Sequence, residues 1–337
     1  MKNYRYSLLS LAIKIALFFP GLSCYAEAAS SCGKTETLTT IQSGTEKDPC
    51  NLINDESLLI EKSAAIAVPQ GESDGFDDPY NMYYSAVNVG NSDNSGALIA
   101  VKQIKNNGTL SGSRGLTVSY TGSLGKLLNY EKMTGNEGAI WISGKVDTVD
   151  NYNLLESTDT SGVFYAIGVY DAQGSNTTPD MKGSVNEIMN RQGGTVEGIY
   201  VGVIASDGAT LFIASGDIKA INNYESITSI ASGIIVEEGG SIGSVNNISG
   251  SKGITADKDA IQINQVTNDS LLYGKRYGIV LDGQGNIGTI TNGTTGIIKG
   301  DKYAIYNKGS ISGGIYNSGL IDGNIDLGDA VLYISGK

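Results

Sequence analysis

The sequence predicts an all-β protein whose strands wind into a β-helix, a solenoid with roughly one coil per repeat. Three observations favour this fold. A nine-residue template recurs, a shorter aliphatic motif recurs along most of the chain, and 46 glycines among 337 residues accompany only 7% aromatic residues. Aliphatic strand formers and turn glycines are abundant, whereas the charge patterns of long helices are missing. One elongated body is therefore expected.

The nine-residue template reads I-x-N-x-G-x-[IL]-x-G and begins at Ile104, Ile305 and Ile315. Its last two copies are separated only by Gly314. A unit of this size cannot bury an apolar face alone, so it must stack on neighbouring units. The template therefore predicts a series of stacked coils.

The shorter motif consists of a small residue, Ile, any residue and an aliphatic residue. Its copies start 18 to 35 residues apart, which fits coils with loops of varying length and does not fit propeller blades of about 40–45 residues. Because alternate residues of a strand face the same side, its two aliphatic side chains are expected to line one interior. The copies lie at 139–142, 166–169, 198–201, 233–236, 260–263 and 278–281, and a seventh begins at Ala304.

Asparagines that stand two places after an aliphatic residue are expected to stack on successive coils. Their amides would then form a ladder that satisfies buried polar groups along the axis. Six unrelated turn asparagines are the alternative, since asparagine also suits tight turns. The predicted ladder residues are Asn190, Asn223, Asn247, Asn292, Asn307 and Asn317.

Residues 1–28 have the pattern of a signal peptide. Lys2 and Arg5 precede a short apolar run, and the small residues that signal peptidase requires predict cleavage after Ala28. A membrane anchor is the alternative, but the run is shorter than the roughly 20 apolar residues of a spanning helix.

Two cysteines, Cys32 and Cys50, remain in the mature chain, and an even number in an exported protein predicts one disulfide. Cys24 falls inside the signal peptide, and its alternative role as a lipidated N-terminus lacks a proper lipobox. The disulfide loop and a cap region are assigned to residues 29–96. The β-helix repeat region is assigned to residues 97–337.

The formal net charge of −12 argues against nucleic acid and anionic lipid as partners. The chain has no histidine, which excludes a Ser-His-Asp triad, a Cys-His pair and His-ligated zinc. We therefore predict no enzyme: no catalytic residue, no cofactor and no metal site. The alternative is a polysaccharide-cleaving enzyme on a β-helix scaffold, which would use paired carboxylates.

The chain resembles the passenger region of bacterial type V secreted autotransporters. The resemblance rests on the cleavable leader, the cysteine pair close behind it, and the repeat text from Ile305 to Leu332, which includes G-N-I-D-L-G-D-A. It extends over essentially the whole mature chain. In that family the passenger is a right-handed parallel β-helix displayed outside the outer membrane, where it commonly acts as an adhesin. The G-D-S-G motif of its serine-protease members is absent here.

The resemblance implies an exported, non-catalytic surface or secreted protein that acts in adhesion or self-association. Its partner would be a host surface protein or glycan, or a second copy, contacted through loops at 171–180 and 267–275. The 19 tyrosines suit flat carbohydrate or protein contacts, or simply cover the solenoid. The outer-membrane translocator barrel of the family is not visible up to Lys337. Either a translocator follows in a longer protein, or the product is a truncated, periplasmic remnant without a display function.

Overall fold

The computed structural model shows an all-β chain. It describes residues 38–52, 56–69, 85–90, 98–158, 165–171, 183–197, 199–203, 217–229, 234–236, 241–248, 253–256, 259–262, 266–281 and 286–335. Within these ranges the chain forms 36 strands and no helix. Three long sheets, here called A, B and C, contain all but two of the strands.

The strands are numbered in chain order and fall into the three sheets in regular rotation. Sheet A contains β1 Thr39–Ile41, β4 Ser57–Ile60, β7 Ile99–Asn106, β10 Gly122–Asn129, β13 Lys145–Asn151, β16 Ser184–Asn190, β19 Asp217–Asn223, β22 Ser241–Asn247, β25 Val266–Asn268, β29 Ile290–Asn292, β33 Ile315–Asn317 and β36 Leu332–Ile334. Sheet B contains β2 Gly44–Glu46, β5 Ala64–Ala67, β8 Thr109–Gly112, β11 Lys132–Gly135, β14 Leu154–Ser157, β17 Thr195–Val196, β20 Ser226–Ser229, β23 Gly253–Ala256, β26 Leu271–Gly274, β30 Ile297–Gly300 and β34 Leu320–Asp322. Sheet C contains β3 Cys50–Leu52, β6 Ser85–Val89, β9 Arg114–Val118, β12 Ile140–Ile142, β15 Ile167–Asp171, β18 Ile199–Val203, β21 Ile234–Val236, β24 Asp259–Gln262, β27 Tyr277–Leu281, β31 Tyr303–Asn307 and β35 Ile325–Asp326. The remaining strands, β28 Asn286–Ile287 and β32 Ser310–Ile311, pair with each other as a small fourth sheet D.

Each coil contributes one strand to sheet A, then one to B and one to C, before the chain returns to A. Every strand pairing among the described residues is parallel, and the partner of a strand lies one coil further along. Parallel strands that return to the same sheet after a full circuit define a β-helix. The described chain is therefore an all-β, parallel solenoid, as the repeats predict.

The short aliphatic motif forms the strands of sheet C. Its isoleucines align in register from coil to coil. Ile167 lies between Ile140 and Ile199 on adjacent coils, and Ile279 pairs with Ile305. These five side chains are at most 1% exposed. A matching aliphatic column runs inside sheet A, through Ile104, Leu127, Val149, Ile188, Ile221, Val245, Val266, Ile290 and Ile315. The interior is thus a stack of aliphatic side chains, which gains free energy by leaving water.

The nine-residue template occupies two different corners of the solenoid. The copies at Ile104 and Ile315 end a sheet A strand and begin a sheet B strand. In both, the glycine lets backbones approach closely, because a side chain at Gly108 or Gly319 would meet carbonyl oxygens of the neighbouring coil. The copy at Ile305 instead ends a sheet C strand and leads into sheet D.

Two segments contain more sheet structure than the sequence predicts. Parts of the predicted cap region 29–96 form β1 to β6, which pair in the same three sheets as the later coils, so the solenoid already includes Thr39. The supposed loop at 267–275 contains the end of β25 and all of β26, because its alternating side chains fit the sheet register. The signal peptide 1–28 and most of the loop 171–180 lie outside the described residues.

Candidate functional site

A continuous column of buried asparagine amides runs along the corner between sheets A and B. Each side chain ends a sheet A strand, and its Nδ2 donates to Oδ1 of the asparagine one coil further on, over distances of 2.7 to 3.0 Å. The column consists of Asn106, Asn129, Asn151, Asn190, Asn223, Asn247, Asn268, Asn292 and Asn317.

Most ladder residues also donate a hydrogen bond from Nδ2 to a backbone carbonyl of the next coil. Asn151 Nδ2 donates to the carbonyl of Thr195, and Asn190 Nδ2 to that of Ser226, each the first residue of a sheet B strand. The ladder is also closed at both ends. The Gly108 N–H donates to Asn106 Oδ1, and Asn317 Nδ2 donates to the Gly319 carbonyl. The glycine of the template therefore terminates the polar column at each end.

Five of the six predicted ladder asparagines lie in this column, and Asn307 does not. Asn307 ends a sheet C strand, where its Nδ2 donates to the Leu327 carbonyl and its Oδ1 accepts from the Gly309 N–H. It matches the same local template but stands at another corner. Four members were missed, although each follows the same aliphatic-x-Asn spacing: Asn106, Asn129, Asn151 and Asn268.

Outside the ladder, the residues that follow the asparagines form a stack of aromatic and cationic groups. The rings of Tyr130 and Tyr152 stack with centroids 4.6 Å apart and planes 13° apart. The Arg191 guanidinium lies 5.9 Å from the Tyr224 ring and 2.8 Å from Oδ1 of the buried Asp150. Burial lowers the pKa of Arg191, but the hydrogen bond and charge of Asp150 outweigh it and raise that pKa above its ordinary value.

A second stack, on the outer side of sheet C, is buried. The Arg114 guanidinium lies 3.9 Å from the Trp141 ring centroid, and Trp141 stacks on Tyr170 at 4.0 Å. The Tyr170 ring occupies the space above Gly168, where a Cβ would collide with it. Arg114 also pairs with Glu137 through Nη2 at 2.7 Å. Since Arg114, Trp141 and Tyr170 are 3–5% exposed, this stack is a structural element of the described coils.

A third cluster, with three exposed cations, lies on the late coils. We call it the tyrosine–cation surface, and it consists of Arg276, Tyr277, Lys302, Tyr303, Tyr306 and Lys308. The rings of Tyr277 and Tyr306 stack at 5.0 Å with planes 11° apart, and Tyr303 packs at a tilt against both. Tyr277 lies at the base, Tyr303 and Tyr306 are half-buried, and the three cations are exposed.

Cations surround the rings of this surface. The Arg276 guanidinium lies 4.8 Å and the Lys302 ammonium 5.7 Å from the Tyr277 centroid, and the Lys308 ammonium lies 5.1 Å from Tyr306. Lys308 also pairs with Asp326 at 2.6 Å, and this hydrogen bond raises the pKa of Lys308 and lowers that of Asp326. The cations are held by ring quadrupoles as well as by carboxylates.

Sheet B carries two carboxylates on successive coils. Leu154 pairs with Thr195 and Leu155 with Val196, so Glu156 and Glu197 come next at equivalent positions. Burial raises the pKa of Glu197, the negative charge of Glu156 raises it further, and a hydrogen bond from the Ser157 backbone partly offsets both. Glu156 pairs with Lys132 at 2.9 Å. An acid with a raised pKa thus lies one coil away from an acid that is paired with a lysine.

The remaining predicted positions lie at the N-terminal end. Cys50 is completely buried in β3, whereas its predicted partner Cys32 and the cleavage residue Ala28 are outside the described residues, so the disulfide and the cleavage stay predictions. Throughout the described ranges, no group of three or more His, Cys, Asp or Glu residues is arranged to hold a metal ion. No described segment is a helix with the length and apolarity needed to span a membrane.

Comparison with known proteins gives no relative. The chain matches no protein-family model, no curated protein and no solved structure. The functional reading therefore rests on the geometry of this chain alone.

The ladder generates a stability prediction. Replacement Asn190→Ala removes the acceptor for Asn151 Nδ2 and the donor for Asn223 Oδ1, in a corner with Asn190 at 0% exposure. Buried groups that lose partners cost about 1–3 kcal/mol each, so we expect the free energy of unfolding to fall by about 3 kcal/mol. Urea unfolding followed by circular dichroism measures this loss.

Asn186→Ala is the matched control. Asn186 lies on the same strand, but its Nδ2 donates to Asp147 at an exposed position. Its replacement should change the unfolding free energy by less than about 0.5 kcal/mol. Equal effects of the two substitutions would contradict a special role for the ladder.

The carboxylate pair generates a pH prediction. Because the pKa of Glu197 is raised in the folded chain, the folded state binds its proton more tightly than the unfolded state. Protonated Glu197 therefore contributes to the stability of the folded state below its ordinary pKa of 4.5. This contribution is lost as the pH rises through the pKa of Glu197 in the folded chain. We expect Glu197→Gln to melt near the wild-type Tm at pH 4 and above it at pH 7. A Tm difference that is constant with pH would contradict this prediction.

Proposed function

We propose that this chain is an exported, non-catalytic β-helix of the autotransporter passenger type, which acts in adhesion or self-association. The observation that carries the proposal is the unbroken stacking of coils through the asparagine ladder. With about 4.8 Å between parallel strands, the twelve strands of sheet A span about 50 Å. A body in which each coil rests on the next is a stiff support for surfaces that meet a partner.

The outer surface supports a binding role. Tyr130 and Tyr224 on the A–B corner are 38% and 39% exposed, and the tyrosine–cation surface lies on the late coils. Tyrosine supplies large contact area together with a polar hydroxyl, which suits protein and carbohydrate contacts. We propose a host surface protein, a glycan or a second copy as partner, and no nucleic acid, given the net charge of −12.

The secretion route is proposed from the sequence. The predicted leader 1–28 would be removed after Ala28, and Cys32 and Cys50 would then form the disulfide of the first coils. A right-handed coil is proposed because parallel crossover connections favour that hand. Surface display would need an outer-membrane translocator, which we propose follows or accompanies this chain; without display the protein would be periplasmic.

Adhesion and export are tested with the same preparation. Expressed with its leader in a Gram-negative host, the chain should begin at Ala29, and its mass should be two hydrogens below that of the reduced form. The purified protein should bind cultured animal cells saturably, or sediment as a defined oligomer in analytical ultracentrifugation. An exported protein that neither binds cells nor self-associates would overturn the adhesive proposal.

The carboxylates on sheet B favour a second candidate, a polysaccharide-cleaving enzyme. Glu197, with its raised pKa, would donate a proton to the leaving oxygen, while Glu156 would act as nucleophile or base. If so, the wild type releases reducing ends or unsaturated products from a polysaccharide panel, and both Glu197→Gln and Glu156→Gln reduce the rate at least about a hundredfold. Glu61→Gln serves as the control for loss of one negative charge. An inactive wild type would leave only the non-catalytic proposal.

A further inference from the structure

We propose, building on the adhesive function, that the tyrosine–cation surface binds an acidic polysaccharide, a sugar chain that carries carboxylate or sulfate groups. Three kinds of observation support this ligand: the local charge, the chemistry of the exposed groups and the rigidity of their support.

Basic residues are concentrated in this part of an otherwise acidic chain. Five of the 23 basic residues lie between Lys275 and Lys308 in a chain of net charge −12. Two of the five pair with aspartates of the next coil, Lys299 with Asp322 and Lys308 with Asp326. Lys302 forms no ion pair within the described part of the chain, and it approaches the same Tyr277 ring as the Arg276 guanidinium. An anion bound here would therefore meet an exposed ammonium group, that of Lys302, which no described carboxylate neutralises.

The exposed groups match a sugar chain better than a bare anion. Phenol rings offer apolar edges and hydroxyl groups, while guanidinium and ammonium groups donate hydrogen bonds to carboxylate or sulfate oxygens. Tyr303 and Tyr306 lie next to Lys302 and Lys308 on the same part of the surface. A polymer with alternating hydroxyls and negative charges would satisfy both kinds of group.

The support is preorganised. β27 and β31 pair in parallel, with Tyr277 opposite Tyr303 and Val280 opposite Tyr306. The Lys302 and Tyr303 N–H groups both donate to the Arg276 carbonyl, and Asn324 Nδ2 donates to the Lys302 carbonyl. Backbone hydrogen bonds thus fix the base of each cationic side chain, so less conformational entropy is lost when a ligand binds.

An anionic membrane is the less favourable partner. The strongly acidic chain would be repelled by a negatively charged plane, whereas a single flexible polymer can reach one local patch. Insertion into a bilayer surface also uses Trp, Phe and Leu, which the tyrosine–cation surface lacks.

Isothermal titration of the purified full chain with heparin, polygalacturonate and neutral dextran tests the inference. Heparin carries sulfates and polygalacturonate only carboxylates, so the two distinguish the anionic group. We expect binding to at least one of them, none to dextran, and weaker binding as salt rises. The double variant Arg276→Gln, Lys302→Gln should bind at least about tenfold more weakly, with an unchanged Tm.

The control is the double variant Lys62→Gln, Lys145→Gln, which removes the same charge at exposed positions on other coils. It should bind like the wild type. Equal losses in both double variants, binding to dextran, equal binding to vesicles of anionic phospholipid, or no binding to either acidic polymer would each overturn the inference. If the wild type attaches to cells but binds no acidic polymer, the adhesive function stands and only this ligand assignment fails.

Discussion

The asparagine ladder is the constraint on which the rest of the structure depends. A carboxamide buried at a corner must find both a donor and an acceptor, because an unsatisfied polar group in the interior is costly. In this solenoid both come from the same side chain on the adjacent coils, since Asn190 accepts from Asn151 and donates to Asn223. The position of each asparagine therefore fixes the register of its neighbours, and with it the alignment of the aliphatic columns. Loop lengths can vary between coils because the ladder restores the register at each return to sheet A from β7 to β33.

Parallel, in-register stacking places identical side chains next to one another on adjacent coils. Its energetic effect depends on whether two copies of that side chain attract or repel each other. Asparagines attract each other, because each is both donor and acceptor. Tyrosines do as well, and Tyr316 stacks on its register partner Tyr333 at 4.8 Å. Carboxylates do not: burial raises the pKa of Glu197, and the negative charge of Glu156 on the adjacent coil raises it further. The stacking that stabilises the ladder therefore also brings two like charges onto adjacent coils.

Much of the fold was predictable, because the residues that define it recur within short stretches. The small-Ile-x-aliphatic motif predicted every sheet C strand from β12 onward except β35, since alternation within four residues is enough to define an inward face. The ladder was partly predictable. Asn307 was wrongly included because the local sequence of a corner does not say which two sheets meet there. The first coils, β1 to β6, were not assigned to the repeat region because their short strands lack the motif.

The tyrosine–cation surface was not predictable, and the reason is geometrical. Its residues come from two coils, and Arg276 meets Lys302 and Tyr303 because β27 and β31 pair in register. The sequence shows 19 tyrosines without distinguishing those that stack beneath a cation from those that cover a sheet. In the stacked coils, the inward strand positions form the aliphatic columns of the core. Residue type can therefore vary from coil to coil mainly at outward positions. On a solenoid with a uniform interior, specificity must therefore arise where outward residues of adjacent coils combine, and Tyr277 and Tyr306, with the cations beside them, form such a combination.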